Sequence, residues 1–283
     1  MWLILAIGSA LLFGLAGWWM KVSQMRGGLT SVMLFGLYVS GTAGFGIHSA
    51  IENQLSLLAD CRIWLSGLII GAGSAFGNAI FMKALDHGPA SLTSPLTNAN
   101  IVLVVMLGTF VYGEPLGWSE ATGIALLLLA VVLIAMKGTG SNSSIDKQWY
   151  LYIVAAILLF TFRNGGLKVT EEIGLPSAPI LFVGYGFSLL WFAKPLFQWR
   201  SVSSPAAATG LILGLLAGLF SYGGLQMYAA SLASGPANLA APIFATNSLV
   251  VAAGAIVVYK ERLNALQWFA FLCMIAGLAV IKL

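Results

Sequence analysis

In this chain of 283 residues, 59% are hydrophobic and only 8% charged, with a mean hydropathy of +0.95. Soluble domains carry charge on about 25% of their residues, so the composition excludes a water-soluble globule and calls for a membrane-spanning protein. The net charge of +4 is spread one or two basic residues per loop, the pattern of topology-setting charge and not of a nucleic-acid surface.

Apolar runs close to the ~20 residues that an α-helix needs to cross a bilayer recur along the whole chain. A β-barrel would alternate apolar and polar residues in ~10-residue segments, and a run such as GIALLLLAVVLIAM does not. Ten helices are predicted, over 2–24, 29–50, 62–84, 91–112 and 118–136, then 149–171, 177–197, 207–232, 238–258 and 265–282. The first, WLILAIGSALLFGLAGWW, lacks the basic residues that precede the apolar core of a secretory leader, and its counterpart in the second half is an ordinary helix. It therefore reads as a span. Cys61 and Cys273 fall in different segments and imply no disulfide framework.

The two halves are copies. GPASLTSP at 88–95 matches GPANLAAP at 235–242, an offset of 235 − 88 = 147. The same offset aligns VYGEPL with VYKERL, and LLFGLAGWWMKV with LLFTFRNGGLKV, without a gap. Residues 1–136 and 148–283 are two five-helix repeats joined by a hydrophilic linker at 137–147. An odd number of spans per copy sends the second copy into the membrane from the opposite side. The expected fold is thus all-α, with ten transmembrane helices in two inverted repeats, an arrangement found in secondary transporters.

Loops after odd-numbered helices carry Lys21, Arg26, Lys83, Lys137, Lys147, Lys194, Arg200, Lys260 and Arg262; the other face has Arg62, Lys168 and Lys282. By the positive-inside rule the richer face is cytoplasmic and both termini lie outside.

Arg163 falls near the middle of predicted helix 6, where a charge costs about 2.5–3.5 kcal/mol on insertion scales. Two readings stand. It snorkels or pairs with Glu171 or Glu172, or it faces a central cavity and offers a carboxylate or phosphate a bidentate fork. Its repeat partner is Ala16, and Asn164 pairs with Gly17, Gly165 with Trp18 and Gly166 with Trp19, so any pocket here is lopsided. Gly165 and Gly166 suit close packing, or a loosened helix that frees backbone groups. Glycines at four-residue spacing, such as Gly67 with Gly71 and Gly210 with Gly214 and Gly218, suit close helix packing.

Pro95 and Pro242 stand within two turns of the starts of helices 4 and 9 and are tolerated there. Asn98, Asn100 and Asn247 follow them; buried amides in lipid need partners, and Asn78, Asn100, Gln226 and Asn247 are candidates for interhelical hydrogen bonds, at ~0.6 kcal/mol each, or for substrate contact. Tyr38, Phe45, Tyr185, Tyr222 and Tyr228 are candidates for an amphipathic wall, Tyr38 and Tyr185 being repeat equivalents. Trp2, Trp118, Trp149 and Trp268 sit at predicted helix ends and read as interface anchors. Glu114 and Glu261 lie just past helices 4 and 9, as solvated turns or as capping and gating groups at the two mouths.

Ten helices in two such repeats, with GPASLTSP, GEPLGW, GPANLAAP and KERLNALQW at equivalent places, resemble the drug/metabolite transporter superfamily, in particular its EamA-type ten-helix transporters. The resemblance covers the whole chain. It implies alternating-access transport of amino acids, amines, nucleotide-linked or phosphorylated sugars, or drugs, through a site between the repeats. It places helices 3, 4, 8 and 9 on the cavity wall, and implies cytoplasmic termini, opposite to the charge count.

No HExxH or Walker sequence occurs, and His48 and His87 lie far apart in sequence. An intramembrane enzyme or an ATP-driven pump is not indicated, and no cofactor or metal is expected. The reading is a secondary transporter of the bacterial cytoplasmic (inner) membrane, sufficient as a monomer, whose partners are a small-molecule substrate and membrane lipid, with no nucleic acid. Its substrate candidates are Arg163, Asn164, Trp18, Asn78, Asn100, Tyr222, Gln226, Asn247, Tyr38 and Tyr185. The alternatives are a multidrug or amine exporter with an aromatic-lined cavity, and a non-transporting membrane scaffold.

Overall fold

The computed structural model describes residues 1–136, 147–193, 204–260 and 265–281. All regular structure among them is helical. The first repeat contains α1 (Trp2–Met25), α2 (Thr30–Ile51), α3 (Cys61–His87), α4 (Ala90–Thr97), α5 (Asn100–Met106) and α6 (Trp118–Met136). The second contains α7 (Lys147–Glu172), α8 (Ser177–Ala193), α9 (Pro205–Ser234), α10 (Ala237–Ala245), α11 (Asn247–Tyr259) and α12 (Ala265–Ile281). Joined pairwise, α4 with α5 and α10 with α11 form spans 4 and 9, which gives ten spans. Seven of the described helical stretches, among them the joined spans 4 and 9, are long and apolar enough to cross a membrane.

Spans 4 and 9 are where the fold departs from the unbroken helices predicted over 91–112 and 238–258. Pro95 lies inside α4 and Pro242 inside α10. Each lacks an amide proton and crowds the carbonyl four residues back, so the helical ladder weakens there. The helix stops at Asn98 and resumes at Asn100 in span 4, and breaks at Thr246 in span 9. Asn100 Nδ2 donates to the Thr97 carbonyl and Asn247 Nδ2 to the Phe244 carbonyl, both at 2.7 Å. These equivalent asparagines satisfy carbonyls that a continuous helix would have used. By contrast α7 runs unbroken through Gly165 and Gly166. A Cβ on Gly166 would meet Ile70, so this glycine serves packing.

The repeats interlock. α1 lies along α9 and α3 along α7, while α2 contacts both α8 and α9, α3 also contacts α8, and α6 pairs with α12 at the margin. Exchanging each span for its repeat equivalent leaves this pattern unchanged, as a two-fold relation between inverted halves requires. Glycine permits the closest approaches. A Cβ on Gly71 would run into the backbone of Gly184, and one on the equivalent Gly218 into the backbone carbonyl of Leu37, the partner of residue 184. Backbone cannot swing aside as a side chain can. Gly71→Ala and Gly218→Ala are therefore each expected to destabilise by about 1–3 kcal/mol and by similar amounts. Gly186→Ala, which meets nothing within 4 Å, should be silent; thermal melting in detergent checks all three.

The GPA sequences at 88–90 and 235–237 also acquire a packing role. Trp149 covers Gly88 and Trp2 covers Gly235, each indole coming from the other repeat. Trp149 is 1% exposed and donates from Nε1 to Thr93 Oγ1 at 3.0 Å. It is a core residue, not the interface anchor that its place at a helix end implied. Trp118 and Trp268 are exposed, as anchors are.

Candidate central site

The two helix breaks meet in the middle of the molecule. Asn98 Nδ2 donates to the Ala245 carbonyl at 2.9 Å and to Asn247 Oδ1 at 3.0 Å, tying span 4 to span 9. Beside this junction lies a cavity of about 30 Å³ bordered by Phe13, Asn78, Asn98, Phe160, Arg163 and Asn247. Such a volume holds one or two waters, less than a metabolite needs.

Arg163 is 2% exposed. Its Nε donates to Asn164 Oδ1 at 3.0 Å, Asn164 Nδ2 donates to Asn100 Oδ1 at 2.8 Å, and Asn100 donates to the Thr97 carbonyl. The guanidinium is thereby registered to the break in span 4. It also lies over two rings, with Cζ 4.8 Å from the centroid of Phe13 and 4.3 Å from that of Phe160. Nη1 is buried without a hydrogen-bond partner. Neither Glu171 nor Glu172 answers it: Lys168 takes Glu172, and among the described residues no carboxylate forms an ion pair with Arg163. The pairing weighed from sequence is absent: Lys168, on the same helix, takes Glu172, and Glu171 forms no ion pair among the described residues.

The other candidates fall into separate groups. Asn78 borders the cavity and donates to Tyr38 Oη at 3.0 Å, and Tyr38 Oη lies 3.2 Å from Ser74 Oγ. Tyr185 Oη lies 2.7 Å from Ser221 Oγ, the repeat equivalent of that contact. Tyr38 and Tyr185 are fully buried and meet edge to face, with centroids 5.0 Å apart. They brace the cavity from behind. Trp18 packs on Tyr259, with centroids 5.5 Å apart, off the cavity wall. Tyr222 and Gln226 flank His48 instead, at 3.1 Å from Nδ1 and 3.2 Å from Nε2.

Glu114 is neither free nor solvated. Its Oε1 and Oε2 accept from the backbone amides of Ala237 and Asn238, both at 2.8 Å, and Lys168 Nζ lies 2.8 Å from Oε1. A carboxylate from repeat one thus caps the first turn of α10 in repeat two, where the helix dipole favours negative charge. Glu261, the sequence equivalent of Glu114, lies outside the described residues. Burial opposes ionisation of Glu114, yet the Lys168 hydrogen bond, the two amides and the Lys168 charge outweigh it and hold the carboxyl below its ordinary value of 4.5. A carboxylate depressed in the folded state gives its stabilisation in full above the ordinary value and loses it as pH falls through the depressed one. The melting-temperature gap between wild type and Glu114→Gln should accordingly be constant above about pH 5.5 and shrink below 4.5, as melts across a pH series will show.

Sequence reasoning passed over Phe13, Phe160, Ser74, Ser221 and Lys168. Each has a same-type partner at the 147-residue offset, counting Lys21 for Lys168. That retention marks them, since symmetric contacts need the same chemistry twice.

Comparison with known proteins agrees with this architecture. A family profile described as the EamA-like transporter family matches residues 1–136 and again 147–283. The plastidal glycolate/glycerate translocator 1 of Arabidopsis thaliana is 27% identical over 183 residues, 56% of this chain and 36% of the plant protein. The chain therefore spans little more than a third of that relative. A Staphylococcus epidermidis protein named for ribose uptake, RbsU, is 32% identical over 220 residues, 69% of this chain and 73% of its own. A solved structure superposes with a TM-score of 0.65 over 96% of both chains at 16% identity, a likeness of fold alone.

Proposed function

This chain belongs to the EamA-like transporter family, and from that premise we propose that it moves a small polar or amphipathic metabolite by alternating access between its two repeats, holding an anionic group of the cargo at Arg163. The observation that carries the reading is the buried guanidinium with Nη1 unpartnered and no carboxylate in ion-pair contact among the described residues. A buried charge is costly unless something compensates it, and an anionic cargo supplies the missing acceptor. The plant relative is named for glycolate and glycerate, both small hydroxycarboxylates. An amine or drug exporter would ordinarily set a carboxylate at the cavity, and none lines it. A scaffold leaves the cost of Arg163 without a return.

In this scheme the breaks between Thr97 and Asn100 and at Thr246, three to four residues beyond Pro95 and Pro242, are the flexing points. The Glu114 clamp on α10 closes the mouth on the face that carries the amino terminus. Proteoliposomes preloaded with glycolate, glycerate, a sugar phosphate or an alkylamine test the cargo class by counterflow. Exchange of an anion supports the reading. Exchange of the amine alone overturns it.

A further inference from the structure

Phe13 and Phe160 are repeat equivalents, 147 residues apart in LLF segments, and both rings lie within cation–π range of one guanidinium, at 4.8 and 4.3 Å. The aromatic set continues outward on each side. Phe160 neighbours Phe81, with centroids 6.4 Å apart; Phe13 neighbours Phe244 at 5.1 Å, and Phe244 stacks on Tyr228 at 4.3 Å. Phe81 and Tyr228 are again repeat equivalents. Apart from Phe244, which is matched by Thr97, the ring framework therefore belongs to the duplicated scaffold. The cation within it does not, since Arg163 has Ala16 as its partner.

We propose that Phe13, Phe160 and Asn164 Oδ1 form a receptor for a small planar or alkylammonium cation, that Arg163 occupies it as a tethered ligand, and that this occupancy excludes free cations. Ring faces attract a desolvated cation through their quadrupoles, and Asn164 Oδ1 accepts one N–H from it at 3.0 Å. Asn164 is itself held by Asn100, so the acceptor stays aimed when the arginine is gone. Truncation at Arg163 would vacate a guanidinium-sized space continuous with the cavity that Phe13, Phe160 and Arg163 all border. The charge preference of the site then turns on one side chain. The receptor stands on the rings and the asparagine; only the consequence for anionic cargo rests on the function proposed above.

The test is calorimetric titration of the purified full-length chain with methylguanidinium, at constant ionic strength, for wild type, Arg163→Ala, Arg163→Lys and Arg163→Ala with Phe160→Leu. Arg163→Ala should bind methylguanidinium at least about tenfold more tightly than wild type. Arg163→Lys, which keeps a tethered cation, should bind no better than wild type, and the added Phe160→Leu should remove most of the gain. If Arg163→Ala is unstable when purified alone, the receptor requires that methylguanidinium in the buffer raise its melting temperature, with no such rise in wild type. A folded Arg163→Ala that binds methylguanidinium no better than wild type overturns the proposal, as does an unstable one that methylguanidinium leaves unimproved. A wild type indifferent to every anion, beside an Arg163→Ala that binds methylguanidinium, supports the receptor and overturns only the anionic-cargo reading.

Discussion

Replacing Arg163 with alanine is expected to abolish the stabilisation that small carboxylates or phosphates give the wild type while leaving the unliganded protein folded. A hydrogen bond to a charged group contributes about 1.5–3 kcal/mol, or roughly 10- to 100-fold in affinity, and a bidentate pair adds geometric selectivity. The unliganded state should change less. It loses two ring contacts, worth up to ~2 kcal/mol each when desolvated. It is also relieved of a buried cation whose Nη1 has no partner, and the two effects oppose each other. The measurement is thermal unfolding of wild type and variant with glycolate, glycerate, inorganic phosphate and an alkylamine. Equal stabilisation of both proteins by the anions would remove Arg163 from the binding site.

How far the sequence disclosed this arrangement depends on the kind of signal. Spans follow from hydropathy and the repeats from a constant offset, so α1, α2, α3, α7 and α9 lie close to their predicted places. The breaks in spans 4 and 9 escaped because a proline two turns into an apolar run also fits an intact helix start. Only the meeting of Asn98 with Ala245 and Asn247 shows the two interruptions facing each other. Arg163 was conspicuous as a charge in oil, but its partners were not. Phe13 lies in the other repeat, and a phenylalanine in a membrane helix carries no mark of what it touches. Likewise Glu114 read as a solvated turn or as a capping or gating group, with no sign of what it would cap. Its two backbone partners are more than 120 positions away, and a contact to an amide leaves no trace in side-chain identity.

These contacts also explain why the asymmetry falls where it does. Scaffold contacts come in equivalent pairs: Tyr38 with Ser74 and Tyr185 with Ser221, Asn100 with Thr97 and Asn247 with Phe244. Equivalent pairing lets both halves take the same two packings, which alternating access needs. At the cavity it fails: Asn78 is matched by Leu225, and Arg163 by Ala16. On the function proposed above this is expected: cargo is not two-fold symmetric, so a surface that binds it has no reason to be.

The second large effect is expected at Glu114. In Glu114→Ala, Lys168, 4% exposed, keeps only Glu172, and the amides of Ala237 and Asn238 lose their acceptor. Losing charge-assisted hydrogen bonds at this part-buried cap costs about 1.5–3 kcal/mol, a shift of one to two orders of magnitude in a two-state equilibrium. In the proposed cycle the state with this mouth shut bears that cost, because it is the state in which repeat one caps α10. A cysteine at Thr97, on the cavity wall, with Cys61→Ser removing the exposed native thiol, reports the result. Membrane-impermeant maleimide added on the face that carries the amino terminus should label it at least about tenfold faster in Glu114→Ala than in the parent. Asp60→Asn breaks the exposed pair with Arg62 and should leave the rate unchanged, since surface pairs contribute little. A Glu114→Ala protein that melts earlier yet labels no faster would make Glu114 a helix cap and nothing more. Faster labelling from that face makes it the lock, because a cap alone stabilises without deciding which mouth is shut.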